Sequence, residues 1–412
     1  MLSRRMPGRP MLGRGSAVLA ALGCAASLAV LPGTAAVADT IRDHQQWVLT
    51  MMDVPAAWQL TQGAGVTVAV IDSGVNPYVS DLTGSVITGP DYTGISTGPS
   101  NPNWGVHGTW MASLIAGHGD PAGSDNGVTG IAPASRILSI RVIPDRADPR
   151  YGQYSREQEP NIQDSLARGI DYAVQHGAKV ISMSIGYSTP NGAVKQALQE
   201  AFSRGVVVVA SAGNSGAPGG TNDMSLAPVS FPADYPGVIS VGAVNQYGAV
   251  AGFSSDNLSV QVAAPGVSVP AQGRDGQYWW VSGTSPACAL VAGVAALIKS
   301  KYPDLAPNLV ARALTSTTTN RPAGGYDSQI GFGIVDAAAA LARAGQLAGD
   351  PPAPASIAAA TRFGGGPAAV AQPPVHPRGT GQLVLFVLLA LTSLVLAGAA
   401  GARLAILRRV PR

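Results

Sequence analysis

Val206 to Ala210 reads Val-Val-Val-Val-Ala, an apolar run with no polar alternation. A strand that buries one face alternates apolar and polar residues, so an unbroken β-branched run predicts a strand buried on both faces of a parallel sheet. The neighbouring segments supply the rest of such a sheet. Val66 to Ile71, Ile137 to Val142 and Val180 to Ser184 are further short apolar runs. Asn161 to His176 places Ile162, Leu166, Ile170 and Ala173-Val174 at helical spacing, and Gly177 closes that helix. Pro190 opens a second helix with Val194, Ala197-Leu198 and Ala201-Phe202 on one face, ended by Gly205. Strands alternating with helices predict an α/β domain around a mostly parallel central sheet. No internal repeat is present.

The two ends differ in character from this middle. Arg4, Arg5, Arg9 and Arg14 precede an apolar stretch from Ala17 to Leu31, and Ala36-Val37-Ala38 offers small residues for cleavage. Residues 1–38 therefore read as a secretory signal peptide. Leu383 to Ala402 is uncharged and about twenty residues long, the length that spans a bilayer core. Arg403, Arg408, Arg409 and Arg412 follow it. Positive residues stay cytoplasmic, so residues 382–403 are expected to cross the membrane outside to inside, with 404–412 as a cytoplasmic tail. Residues 346–381 are rich in Pro, Ala and Gly and read as a linker. That leaves 39–64 as an N-terminal extension and 65–345 as one folded domain facing outward.

Composition narrows the function classes. Apolar residues are 46% and charged residues 12% of the chain, which suits a buried core plus membrane-seeking ends. The net charge is only +3 and no basic stripe crosses the middle, so no nucleic-acid partner is expected. Removal of the signal would take Cys24 and leave Cys288, so no intrachain disulfide is expected. Cys288 lies in an Ala-rich helical run and reads as a small buried residue.

Three segments put polar groups where a buried sheet ends or a helix begins. Asp72 directly follows the apolar Val68 to Ile71, where a carboxylate is costly unless capped or used. His107 leads, through Gly108-Thr109, into the apolar run Trp110 to Ala116. Ser285, after Gly283-Thr284, leads into the run Ala287 to Ile298. Each alone reads as a turn or capping residue. Together they are the parts of an activated nucleophile. A serine hydroxyl needs an imidazole to take its proton, and that imidazole needs a carboxylate to fix its tautomer and balance its charge.

The segments VAVIDSGV, HGTWMASLIAG and GTSPACALVAG resemble the Asp, His and Ser motifs of the subtilisin-like serine peptidases, in the same order. GIAPASRILSIRV, ISMSIG, VVVVASAGN, FPADYPGVISVGAV and VAAPG also resemble family segments, so the likeness runs from about Gly65 to Ala340. It implies a subtilisin-like three-layer fold and a peptidase acting on polypeptides through an acyl-enzyme. In it, Asp72 orients His107, His107 acts as base and then acid, and Ser285 attacks the carbonyl. The resemblance further implies that Asn214 helps form an oxyanion hole. Ser184-Ile185-Gly186 and Ala212-Gly213 match the segments that pair with an extended substrate.

The sequence departs from the usual pattern in its His motif and in its Ser motif, where Ala289 and Leu290 also stand in place of the usual Pro and His. Pro286 directly follows the serine, which should push Ser285 away from helical backbone angles. Ser113 stands where the family usually has glycine. The stretch from Pro144 to Pro160 reads as a solvated surface insertion. Asp120, Asp125 and Asn126 bring oxygens to one loop without recognisable ligand spacing, so no metal and no cofactor are expected.

The order of signal, peptidase domain, Pro-rich linker, single span and basic tail resembles the mycosins, membrane-anchored peptidases of type VII secretion. IRDHQQWVLTMMDVPAAWQLTQGAGV resembles their N-terminal extension. This implies a cell-membrane location and a secretion complex as partner. An alternative from the same features is a structural subunit of such a complex for which catalysis is dispensable.

Overall fold

The computed structural model describes residues 2–5, 40–95, 98–119, 127–146, 148–149, 151, 159–216 and 227–349. The apolar leader, the loop of Asp120, Asp125 and Asn126, and the segment Leu383–Ala402 lie outside them. No helix among the described residues is long and apolar enough to cross a membrane.

Among the described residues, seven strands form one parallel sheet. In chain order they are β2 (Thr67–Asp72), β3 (Val86–Asp91), β4 (Arg136–Arg141), β5 (Val180–Met183), β6 (Val207–Ser211), β7 (Ile239–Val244) and β8 (Val262–Pro265), with β1 (Leu2–Arg5) preceding them outside this sheet. Their spatial order is β3-β4-β2-β5-β6-β7-β8. A second, antiparallel sheet joins β1 to β10 (Tyr278–Ser282) and β10 to β9 (Val269–Gln272). Leu2 sits opposite Ser282, so the first residues, expected in the basic part of a leader, are paired along β10.

The helices are α1 (Ile41–Met51), α2 (Val54–Trp58), α3 (Val106–Ala116), α4 (Glu159–Gln175), α5 (Gly192–Ser203), α6 (Thr284–Lys301), α7 (Pro307–Ser316) and α8 (Ala337–Gly349). The central strands are mostly apolar on both faces because each face meets a different layer. On β2, Val68 and Val70 join the core that contains α3 and α6, while Ala69 and Ile71 join the core of α4 and α5. On β6, Val207 and Val209 face the first core, and Val208 and Ala210 the second. The result is three layers, with α6 so enclosed that Thr284 through Lys299 are all buried. Its Ala-rich sequence follows from that: a helix packed all round carries no polar face and needs small side chains to fit.

Boundaries shift where capping decides them. The helix expected at Pro190 begins at Gly192, because the Asn191 side chain accepts the N–H groups of Ala193 and Val194 as N-cap. The last helix runs to Gly349 with Leu347 buried, past the point where a linker was expected to start. The expected displacement of Ser285 by Pro286 does not occur, and Ser285 lies inside α6. Proline is tolerated there because the first-turn N–H groups of a helix have no intrahelical partner to lose.

Candidate active site

The parallel sheet delivers Asp72 at the C-terminal end of β2, where side chains emerge between the helical layers. Asp72 is fully buried. Its Oδ1 accepts the N–H of Ser73 at 2.7 Å and lies 2.7 Å from Nδ1 of His107. A carboxylate only accepts, so Nδ1 carries the shared proton and Nε2 presents a lone pair. Oδ2 is buried without a hydrogen-bond partner among the described residues.

His107 is the second residue of α3, whose N-cap Gly105 adopts a left-handed conformation and contributes no side-chain cap. Other segments fasten this helix end. Asp145 accepts the N–H of Val106 at 2.7 Å and of His107 at 2.9 Å. The Gly108 N–H donates to Ser73 Oγ at 3.1 Å, and Thr109 Oγ1 accepts the Asn76 N–H at 2.9 Å. Gly108 is needed for this approach, since a Cβ there would collide with the Gly74 carbonyl oxygen. Burial disfavours charge on the His107 ring, but the Asp72 charge, the bond to Asp72 and the Asp145 charge outweigh it. The imidazole pKa stands above its ordinary value.

Ser285, at the start of α6, is 4% exposed. Its carbonyl accepts the Ser184 hydroxyl at 3.1 Å, which ties α6 to the end of β5. Asn214 follows β6, and its Oδ1 accepts both the N–H and the hydroxyl of Thr284, at 2.8 and 3.0 Å. Two donors on one side fix that atom as the oxygen, so the Asn214 NH₂ is left for another acceptor.

His107, Ser285 and Asn214 line one cleft of about 720 Å³, together with Ser184, Ile185, Gly186 and Gly213. Ala212, read with them, is fully buried, and its N–H is used within the sheet, donating to the Val241 carbonyl at 3.0 Å. Cys288 is fully buried, and burial pushes its thiol up to about 12, which removes it as a nucleophile. No cluster of metal-ligating side chains occurs among the described residues.

Two residues beside these escaped the sequence reading. Thr284 was seen only as part of a helix start, yet it anchors Asn214. Asp145 was placed in a solvated insertion. It is instead 4% exposed, and Asp148 nearby is 3% exposed. The available signal was its place just beyond the run Ile137 to Val142, as Asp72 stands just beyond Val68 to Ile71.

A parallel sheet that gathers a buried Asp–His pair, a helix-borne serine and a tethered Asn around one cleft is the architecture of a serine endopeptidase. The chain belongs to the Subtilase family, whose sequence pattern matches residues 63–333. It is 37% identical over 279 residues to Subtilisin DY of Bacillus licheniformis, covering 68% of this chain and 92% of that one. It is 34% identical over 340 residues to Mycosin-1 of Mycobacterium tuberculosis, covering 72% of each. Among solved structures, the MycP3 protease from the type VII (ESX-3) secretion system superposes with a TM-score of 0.61 at 34% identity, over 72% of this chain and 87% of that one. MycP1 from Mycobacterium smegmatis does so at 0.58 and 30% identity, over 72% and 84%. The chain is thus a subtilisin-like serine endopeptidase related to the mycosins.

Proposed function

We propose that Asp72, His107 and Ser285 are the catalytic triad of this peptidase, and that it works outside the cell, tethered to the membrane, within a type VII secretion complex. The observation that carries the chemistry is the 2.7 Å contact of Asp72 Oδ1 with His107 Nδ1, in a cleft shared with Ser285 and Asn214.

An extended peptide lies between Ser184-Ile185-Gly186 and Ala212-Gly213 as an added strand. His107 Nε2 takes the Ser285 hydroxyl proton as Oγ attacks the scissile carbonyl. The oxyanion that forms accepts the Asn214 NH₂ and the Ser285 N–H. Pro286 costs no donor, because the main-chain donor belongs to Ser285. His107 returns its proton to the leaving amine, and water, activated by the same ring, hydrolyses the acyl-enzyme. Asp72 keeps its hydrogen bond to Nδ1 and balances the imidazolium.

The tether rests on the uncharged run Leu383–Ala402 and the four arginines after it. Placing one such charge at the centre of a spanning helix costs about 2.5–3.5 kcal/mol on insertion scales, which resists moving the arginines across and favours an outward-facing domain. Cleavage after Ala38 and the mycosin relatives support the same placement. The test has two parts. Ser285→Ala should abolish peptide hydrolysis while the chain stays folded and membrane-bound. External protease on intact cells should shed the domain through the linker between Pro352 and Pro377. A domain protected in intact cells with an accessible C-terminal tail would contradict the orientation.

A further inference from the structure

We infer that Asp145 is a positioning residue for the peptidase reaction: it holds the main chain of His107 while Asp72 holds its ring, so two carboxylates fix the histidine at opposite ends. The inference rests on His107 being the general base.

The two acids arrive by the same route. Strands β2 and β4 are hydrogen-bonded neighbours in parallel register, with Asp72 opposite Arg141. Each strand runs on to an acid at its C-terminal end. Asp72 ends β2 itself, and Asp145 follows β4 by way of Val142, Ile143 and Pro144. The first meets Nδ1 of His107, and the second meets the N–H groups of Val106 and His107.

A helix start leaves its first N–H groups unsatisfied, and its own N-cap residue normally supplies an acceptor. Here Gly105 has no side chain to do so. Asp145 supplies both oxygens from 38 or more residues away. An ordinary Ser or Asp at the cap would satisfy the same groups locally. A distant carboxylate instead ties the position of His107 to the strand next to Asp72.

The charge has a second effect. The groups facing His107 are Asp72 from β2, Asp145 and Arg146 from the segment after β4, and the Trp110 ring from its own helix, and Ser285 of α6 lines the same cleft. Arg274, in the turn between β9 and β10, also interacts electrostatically with Asp145. Asp145 favours the imidazolium that forms in the transition state, and Arg146 opposes it. Removing the Asp145 charge should therefore make the ring easier to deprotonate.

The experiment compares wild type, D145N and D145E, each normalised by active-site titration with a fluorophosphonate at Ser285. D145N is nearly isosteric, so it keeps the fold while losing the charge and one acceptor. Its kcat per titrated site should fall roughly tenfold or more with KM within about twofold, the pattern of a misplaced base. The acid limb of its kcat/KM profile should move to lower pH. D145E, which keeps the charge, should hold the wild-type limb. A purely structural cap would lower the melting temperature but leave kcat per titrated site and the acid limb unchanged, and that result would overturn the proposal. If wild type itself fails to react with the fluorophosphonate, the triad reading fails first. If wild type reacts and D145N matches it in rate and pH profile, only the role of Asp145 fails.

Discussion

The side-chain oxygen of Asn214 is bound twice by Thr284, through the threonine N–H at 2.8 Å and its hydroxyl at 3.0 Å. Thr284 is the first residue of α6 and Ser285 the second, so the helix that carries the serine also sets the direction of the Asn214 amide. The Thr284 hydroxyl accepts the Gly213 N–H as well, at 3.3 Å, closing a small network between the end of β6 and α6.

Asn214→Ala should lower kcat by about 10²–10³, the loss measured for one oxyanion donor in a subtilisin, with little change in KM. Thr284→Val removes the hydroxyl but keeps the main-chain donor, so it should cost less, roughly tenfold, again in kcat. Steady-state kinetics on a peptide substrate decide both. A change confined to KM would mean that Asn214 binds the substrate ground state.

Gly108→Ala should separate the pair at the heart of the site. Its Cβ would strike the Gly74 carbonyl, main chain that cannot swing aside, so α3 must shift away from β2. We expect a kcat loss of roughly 10²-fold from a displacement near 1 Å, and destabilisation of about 1–3 kcal/mol. Wild-type kcat in the folded variant would show that the spacing is not limiting.

Asp81 gives a pH signature in stability. It is buried, and burial pushes its carboxyl from 3.8 up to about 6, against hydrogen bonds from the Val128 N–H, the Tyr278 hydroxyl and the Ser80 hydroxyl that lower it. The folded chain therefore binds this proton more tightly than the unfolded chain. The stabilisation is complete below about pH 4 and is lost as pH rises through about 6. The difference is on the order of 3 kcal/mol. Chemical denaturation of wild type and Asp81→Asn between these pH values should show this component in wild type alone. Identical slopes in both would contradict it.

How far the sequence reveals this protein can be seen at particular residues. β2, β4, β5 and β6 lie within about one residue of the runs that predicted them, because a strand buried on both faces leaves an unbroken apolar signature. Asp72, His107, Ser285 and Asn214 stand out in the sequence because each lies at an element end beside a recognisable motif. Asp145 was not, since what buries it is a pair of N–H groups 38 and 39 residues away, and no local pattern encodes those. The helix Ile41–Met51 did carry a local signal, the Thr40/Asp43 capping box, but not its packing partner. Its Gln45 is buried against the Thr129 main chain, a pairing set by tertiary contact. Pro286 misled in the opposite direction: its bias on the preceding residue gave way to a helix start that packing holds in place. Ser113, unusual for the family, fits because its hydroxyl donates to the Trp110 carbonyl and accepts the Gln272 N–H.

Cys288 should be silent in the native enzyme, since burial holds its thiol well above the usual range. Iodoacetamide at neutral pH should neither modify it nor lower activity until the chain is unfolded. Native-state alkylation that tracks inactivation would place the thiol in the chemistry.

The central claim is that Ser285 is activated by His107 and Asp72. The most direct measurement is the rate of covalent fluorophosphonate labelling of the folded chain, with the modified residue mapped by peptide mass. Wild type should label at Ser285 alone, with a rate that rises as the His107 ring loses its proton. His107→Ala and Asp72→Asn should label slowly, and Ser285→Ala not at all. Labelling elsewhere, or equal rates in wild type and His107→Ala, would contradict the account.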